Sequence, residues 1–347
     1  MPDYRHLLAM TDENGLLQFS IKTNPDPGSG YTLDDNARAL MVSLHMDDSK
    51  YDYQKLFLDY LEKSKQTNKT WSNFLLNGCY SSQFDSEDSI GRALMACSAA
   101  TQSPRQEISE KAGQLLIDGI ATARGFSSPR AVANTLIALC KARVPEINSV
   151  RPELINRLSR HLLDLYAQTK SKNWRWFENY LTYCNAILPQ SLFCVYSFNG
   201  NRECLNAAYD TLGFLNDILF SQGYLNIIGN QGWSFRNRPT ACYDQQPIDA
   251  ASIAFACWEA YNVSGKNEYK ELITLAHNWY HGENINKLSL YDTITGGCYD
   301  ALTKDGVNLN QGAESTLSLI FMTLLANGNL GPDFQIIKHP ANAVTNR

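Results

Sequence analysis

The stretch 31–44 reads YTLDDNARALMVSL. A short polar segment leads into two aspartates, and an apolar run rich in Ala, Leu and Met follows. Thr32 and Asp35 have the spacing of a helix N-terminal cap, so a helix is predicted to begin here. Apolar and small residues occupy nearly every face of this helix, which is typical of a helix buried on all sides.

The same pattern recurs five more times along the chain, at intervals of 43 to 65 residues. Each copy has a polar or turn-forming loop, often acidic, followed by an apolar helix of Ala, Leu and small residues. An interval of this length accommodates two helices and two loops. The later copies are DSEDSIGRALMACSAA (85–100), SPRAVANTLIALCKA (128–142), TYCNAILPQSLFCVY (182–196), QPIDAASIAFACWEAY (246–261) and GAESTLSLIFMTLLA (312–326).

The segments between these copies predict a second, amphipathic set of helices. In RPELINRLSRHLLDLY, Leu154, Leu158, Leu162 and Leu165 fall on one helical face, and charged residues cover the other. Five such segments are clear, and the short segment 4–10 is interpreted as a shortened sixth. Alternating buried and amphipathic helices predict an all-α (α/α)6 toroid with an inner and an outer ring.

One domain is predicted over the whole chain, 1–347. The repeats occupy 28–327, and the polar, proline-containing segment 328–347 is expected to be an irregular tail. Neither a domain linker nor a low-complexity segment interrupts the repeats.

Composition excludes several classes of partner. The 347 residues carry a net charge of −5 and no basic tract, which argues against nucleic acid. No apolar run approaches the roughly 18 residues of a membrane span, so no membrane association is expected. The N-terminal segment lacks the apolar core of a secretory signal. The nine cysteines are odd in number and show no C-x-x-C spacing, which favours buried thiols in a reducing, cytoplasmic compartment.

Carboxylates recur where the inner helices are predicted to begin. The loop before the first helix carries two, Asp34 and Asp35, and the loop before the second carries three, Asp85, Glu87 and Asp88. An acid in the first turn is often only a cap, but a cap needs one acid. The sequence therefore predicts a functional acidic cluster at these helix ends. The catalytic candidates are Asp88, Asp249, Asp35 and Glu178.

Aromatic and amide side chains accompany the acids in the same loops. Such loops are typical of sites that stack on sugar rings and bind their hydroxyl groups. No cofactor or metal is predicted, since the spacing of a metal site and a glycine-rich phosphate loop are both absent. The substrate-binding candidates are Tyr31, Asp34, Arg38, Trp71, Asp85, Arg130, Trp176, Asn179, Trp233, Tyr243, Gln246, Gln311 and Glu314.

The sequence resembles a known superfamily. Six helix pairs with acidic, aromatic loops are similar to the six-hairpin glycosidases. More specifically, the sequence resembles an α/α-toroid domain of bacterial carbohydrate gene clusters, which in some proteins is fused to glycosyltransferases. The resemblance covers about 4–325, so an oligosaccharide or glycoconjugate substrate and association with a glycosyltransferase are implied. It rests on GYTLDDNARAL (30–40), WFENYLTYCNAILPQSL (176–192), QQPIDA (245–250), GGCYDAL (296–302) and NLNQGAESTLSL (308–319).

The preferred function is a glycoside hydrolase that uses paired carboxylates. In a six-repeat ring, repeat two opposes repeat five and repeat one opposes repeat four. Asp88 would then face Asp249, and Asp35 would face Glu178. Facing acids suit an inverting reaction, which needs a separation of about 6.5–9.5 Å. We expect Asp88 and Asp249 to react, with Asp35, Glu178 and Glu314 in positioning roles.

Three alternatives remain open at this stage. A glycan-binding or accessory domain could keep the fold without turnover. A sugar epimerase would need histidines near the funnel, and none of the six is placed at the start of an inner helix. A terpene cyclase is suggested by LDDNA, but the polar loops argue against it.

The short loop before the third inner helix also predicts a side opening near 127–130, where Arg130 could reach a substrate.

Overall fold

The computed structural model describes residues 1–46, 51–66 and 71–328. This part of the chain is mainly helical. Its twelve α-helices are α1 (Arg5–Ala9), α2 (Leu33–Ser43), α3 (Tyr53–Ser64), α4 (Glu87–Ala100), α5 (Gln106–Ala123), α6 (Pro129–Lys141), α7 (Arg151–Thr169), α8 (Ile187–Asn199), α9 (Arg202–Leu219), α10 (Pro247–Ser264), α11 (Glu268–Tyr280) and α12 (Ala313–Ala326).

The even-numbered helices form a closed inner ring. Each packs against the next, and α12 returns to pack against α2. Helices α3, α5, α7, α9 and α11 each pack outside an inner helix, and α1 packs on α12 as a short sixth outer helix. The predicted (α/α)6 toroid is confirmed, including the shortened sixth helix at the N-terminus.

Burial follows the sequence pattern that predicted the two rings. Every residue of α6 from Arg130 to Lys141 is buried, whereas α7 buries Leu154, Leu158 and Leu162 on one face only. Two of the inner helices, α2 and α4, begin at side-chain caps. The Thr32 side chain accepts a hydrogen bond from the Asp35 N–H, and Ser86 caps α4 in the same way.

The sequence predicted helices joined by irregular loops, but the loops also contain short antiparallel strands. Loop backbone that approaches the core needs hydrogen-bond partners, and neighbouring loops supply them. Thus Tyr31 pairs with Leu75, which ties the start of α2 to the following loop. The strands are β1 (Thr11–Asp12), β2 (Gly15–Leu16), β3 (Ser20–Ile21), β4 (Asn24–Pro25), β5 (Tyr31–Thr32), β6 (Phe74–Leu76), β7 (Cys79–Ser81), β8 (Tyr180–Leu181), β9 (Ser234–Phe235), β10 (Ala301–Thr303) and β11 (Gly306–Asn308).

A single hydrophobic cluster extends from Leu7 to Leu325 through both rings. Seven of the nine cysteines are buried, and Cys79 and Cys242 are exposed. Within the described residues, no helix is both long and apolar enough to span a bilayer. The predicted tail lies outside the described residues from 329 onward.

Candidate active site in the toroid funnel

The N-terminal ends of α2, α4, α10 and α12, with the loop before α8, surround a polar cavity of about 610 Å³, which we call the funnel. Free N–H groups and the positive end of the helix dipole make such helix ends suitable for anionic and hydroxyl groups. Six carboxylates and two guanidinium groups line the funnel. They are Asp34, Asp35, Asp88, Asp244, Asp300, Glu314, Arg38 and Arg92.

The two arginines are paired with carboxylates of the first and sixth inner helices. Arg38 donates to Asp35 at 2.9 Å and to Glu314 at 2.6 Å, and its side chain is 6% exposed. Arg92 of α4 forms an ion pair with Asp34. These pairs join α2 to its two ring neighbours at the funnel, and they offset the charge of three of the six acids.

Asp35 is held in a buried and highly constrained position. Burial raises its pKa to about 6, although the Arg38 guanidinium opposes the shift. One carboxylate oxygen accepts from Arg38 and the other from the Thr32 hydroxyl. Because its side chain is 7% exposed and paired with Arg38, Asp35 is suited to fixing Arg38 and the start of α2.

Asp88 lies at the start of α4 and lines the funnel. Its Oδ2 accepts a hydrogen bond from the Tyr183 hydroxyl at 2.6 Å, and its Oδ1 accepts one from the Ser128 hydroxyl. Among the described residues, no lysine or arginine forms an ion pair with it. Each oxygen keeps a further lone pair for a water molecule or a sugar hydroxyl.

Asp300 lies in the loop before α12, next to β10, and also lines the funnel. Burial raises its pKa, and the Gly312 N–H, which donates to Oδ1 at 2.7 Å, opposes the shift. A carboxyl group whose pKa is raised can remain protonated at higher pH and act as a general acid. Asp244, from the loop before α10, accepts a hydrogen bond from the Gln231 amide at 3.2 Å.

Aromatic rings lie at the wall of the funnel. Phe19 is 51% exposed and Phe84 is 46% exposed, and the phenol of Tyr183 is also accessible. Exposed rings of this size next to carboxylates and amides can stack on the apolar face of a sugar. The amide of Asn73 adds a polar contact, since it bonds both the N–H and the carboxylate of Asp34.

Six of the residues predicted from sequence line the funnel. The first inner helix supplies three of them, and three other helix ends supply one each. They are Asp34, Asp35, Arg38, Asp88, Gln246 and Glu314.

Two predicted stacking platforms are core residues instead. Trp176 is fully buried and packs its ring against Phe177 and Phe214. Trp71 is 2% exposed and belongs to the hydrophobic core. The interpretation of these two as sugar-binding rings is therefore wrong in this structure. The same correction applies to Gln311, which is fully buried and donates to Asp292.

The predicted partner of Asp88 does not reach the funnel. Asp249 Oδ1 accepts from the Cys184 N–H at 2.6 Å, and its Oδ2 is buried without a hydrogen-bond partner. Burial raises the pKa of Asp249 to about 7. An acid that faces loop backbone rather than the cavity cannot contact a glycosidic oxygen. The prediction that Asp88 and Asp249 are the reacting pair is therefore wrong.

Glu178 and Arg130 form an ion pair with each other and do not line the funnel. Arg130 donates to Glu178 at 3.2 Å and to the Tyr183 carbonyl oxygen at 2.7 Å. Nη2 donates to Thr182 and Asn185, and Arg130 is 5% exposed and does not line the funnel. The expectation that Arg130 reaches a substrate at a side opening is therefore wrong.

Five further candidates lie away from the funnel wall. The hydroxyl of Tyr31 donates to Asp12, and that of Tyr243 donates to Asn286. The Asp85 carboxylate accepts from the Asn73 N–H, and the Asn179 carbonyl accepts from the Arg236 N–H. The partly buried ring of Trp233 packs near that of Tyr183.

The funnel also contains residues that were not selected from the sequence. Asp300, Arg92 and Tyr183 are the most important of them, with Phe19 and Phe84. Arg92 could have been found, because it follows Asp88 by four residues as Arg38 follows Asp34. No comparable signal marks Phe19, because it lies in a hairpin outside the repeats.

The chain was compared with known proteins. No protein-family model matches the sequence, and no curated protein matches it significantly. Solved structures do match. A D-mannose isomerase has a TM-score of 0.72 at 12% identity, with 94% of this chain and 95% of that chain covered. The cellobiose 2-epimerase of Bacillus thermoamylovorans has a TM-score of 0.71 at 11% identity, with 93% and 95% covered.

A third match is an α-1,6-mannanase from Salegentibacter, with a TM-score of 0.61 at 13% identity and coverage of 93% and 96%. This chain has the (α/α)6 toroid fold of these proteins. Identities this low establish the fold alone, because toroids of one architecture support different reactions.

Proposed function

We propose that this protein processes carbohydrate, and that it hydrolyses a glycosidic bond of an oligosaccharide held in the funnel. The observation that carries the proposal is the set of six carboxylates around one polar cavity with exposed aromatic rings at its wall. Glycoside hydrolysis typically uses two carboxyl groups in different protonation states. The funnel supplies several candidates for each role.

Residue chemistry favours hydrolysis over isomerisation or epimerisation. Some proteins of similar fold are an isomerase and epimerases. Proton transfer next to a sugar carbonyl is commonly performed by histidine, whose ordinary pKa is near neutrality. No histidine lines the funnel in the described part of the chain, and the buried His6 bonds the Gln311 carbonyl oxygen.

We assign Asp88 as the base that activates water and Asp300 as the general acid. Asp88 is fixed by two hydroxyl donors, and no lysine or arginine of the described residues forms an ion pair with it. Burial raises the pKa of Asp300, and no arginine of the described residues forms an ion pair with this funnel acid. The loops that carry them flank the first inner helix, and we expect a gap wide enough for water and thus inversion at the anomeric carbon.

Charge narrows the substrate class to neutral or amine-bearing sugars. Six acids outnumber two arginines in the funnel, and both arginines are already paired. A uronate or phosphate group would meet net repulsion there, whereas hydroxyl or ammonium groups would find acceptors.

The test is a panel of gluco- and manno-oligosaccharides of both anomeric linkages, with an amino-sugar oligomer and an oligouronate. Proton NMR distinguishes cleavage from isomerisation and reports the anomer released. We expect cleavage of a neutral or amine-bearing member, and losses of about 10²–10⁴-fold in kcat for Asp88→Asn and Asp300→Asn. Asp217→Asn is the matched control, because Asp217 is an exposed acid of α9 paired with Arg175.

Each other outcome has a definite meaning. Normal turnover in both funnel variants would show that the reacting pair is misassigned. Isomerised sugar without cleavage would replace the hydrolase by an isomerase. Binding of oligosaccharides without any turnover would identify a glycan-binding domain.

A further inference from the structure

Tyr183 is the point at which a network of buried groups meets the funnel. Its hydroxyl donates to Asp88 Oδ2 at 2.6 Å, and its side chain is 38% exposed at the funnel wall. It comes from the loop before α8, whereas Asp88 belongs to α4, so the contact crosses from one repeat to another.

Arg130 of α6 fixes both the backbone and the ring of Tyr183. Its Nε donates to the Tyr183 carbonyl oxygen at 2.7 Å, and its guanidinium carbon lies 4.8 Å from the centre of the ring. Glu178, Thr182 and Asn185 accept from the other guanidinium nitrogens. A guanidinium that donates from all three of its nitrogens is a rigid anchor, because it cannot turn without breaking several hydrogen bonds.

Asp249 of α10 fixes the next residue of the same loop. Its Oδ1 accepts from the Cys184 N–H at 2.6 Å, and Cys184 has a φ of 46°. A non-glycine residue keeps this left-handed conformation only where its surroundings hold it. Helices α6 and α10 therefore hold the peptide between Tyr183 and Cys184 by its carbonyl oxygen and its N–H.

From this geometry we infer that Tyr183 is a positioning residue for Asp88, and that Arg130, Glu178 and Asp249 act on the funnel through it. With Ser128 on Oδ1 and Tyr183 on Oδ2, the plane of the carboxylate is fixed from both sides. The remaining lone pairs of Asp88 then point in a fixed direction, toward the place of a bound water. The inference rests on the proposed role of Asp88.

The test is a double-mutant cycle of Tyr183→Phe and Asp88→Asn, measured as kcat and KM on the substrate that the unmodified protein cleaves. Phe keeps the ring against Arg130 and removes only the hydroxyl. We expect Tyr183→Phe to lower kcat on the order of 10- to 100-fold, because small misplacements of a reacting group have effects of this size. KM should stay within about threefold, and Tyr183→Phe should add no loss in the Asp88→Asn background.

A crystal structure of Tyr183→Phe gives a second readout that needs no turnover. We expect the Asp88 carboxylate to rotate away from its position in the unmodified protein. Tyr224→Phe is the control, because its hydroxyl donates to Gln222, outside the funnel.

The inference is overturned if Asp88 stays in place in Tyr183→Phe, or if the losses of the two single variants multiply in the double variant. If the unmodified protein cleaves no sugar, the proposed function fails, and the position of Asp88 in the crystal structure still decides the inference.

Discussion

Individual carboxylates in this toroid have roles set by what surrounds them. The Asp35 carboxylate accepts hydrogen bonds from Arg38 and Thr32, and the Asp249 carboxylate accepts one from loop backbone. Asp88 accepts hydrogen bonds from two hydroxyl groups and lies in an accessible cavity. An acid near an inner-helix end is therefore not a catalytic acid by position alone. Its partners decide whether an oxygen is left for a substrate.

Asp249 gives a prediction on pH-dependent stability. Burial raises its pKa to about 7 in the folded protein, whereas an aspartate in an unfolded chain ionises near 3.9. Between these values the folded state binds more protons, so the contribution of this group to stability is full below about pH 4 and is lost as pH rises toward 7. Asp249→Asn removes this dependence and keeps an oxygen for the Cys184 N–H.

We expect Asp249→Asn to raise the free energy of unfolding relative to the unmodified protein by about 1–3 kcal/mol more at pH 8 than at pH 5. Urea unfolding at the two pH values measures this difference. Asp217→Asn, an exposed acid, is the control and should show little change between them. An equal effect of Asp249→Asn at both pH values would contradict a buried, proton-binding carboxyl group.

At the scale of elements, close packing of the inner helices requires small residues. A Cβ atom on Gly91 of α4 would lie 2.8 Å from the Ala131 carbonyl oxygen of α6, and backbone atoms cannot move aside easily. Gly113 of outer helix α5 is different, because its nearest neighbour would be a Val144 methyl group at 3.6 Å. The two glycines therefore form a matched pair.

We expect Gly91→Ala to destabilise the protein by about 1–3 kcal/mol, since overpacking outweighs the better helix propensity of alanine. Gly113→Ala should instead stabilise it by roughly 0.5–1 kcal/mol, because propensity is the main effect there. Denaturant unfolding of both variants measures the two signs. A stabilising Gly91→Ala would show that α4 and α6 are less closely packed.

Elements could be predicted from the sequence more fully than the directions of loop side chains. The leucine spacing of α7 and the cap of α2 predict helices, because periodicity and capping are local signals. Trp176 and Phe84 carry no such signal. Both are aromatic loop residues, yet one is buried and the other is exposed. Long-range packing decides between core and surface, and single-residue chemistry does not.

At the scale of the whole molecule, closure of the ring brings the functional groups together. Asp34 and Glu314 are 280 residues apart in sequence, and both line one funnel because α12 returns to α2. The sequence predicted this convergence from the repeats. It did not reveal which acid of each loop faces inward, because the strands that connect the loops were not predicted.

The central claim is that the funnel binds an oligosaccharide with its glycosidic bond between Asp88 and Asp300. The most direct test is a crystal structure of Asp88→Asn soaked with the oligosaccharide panel, since this variant should bind without cleaving. We predict a sugar in the funnel, stacked on Phe19 or Phe84, with the glycosidic oxygen within hydrogen-bond distance of Asp300. A sugar bound elsewhere on the toroid, or a funnel that binds none of the panel, would contradict the account.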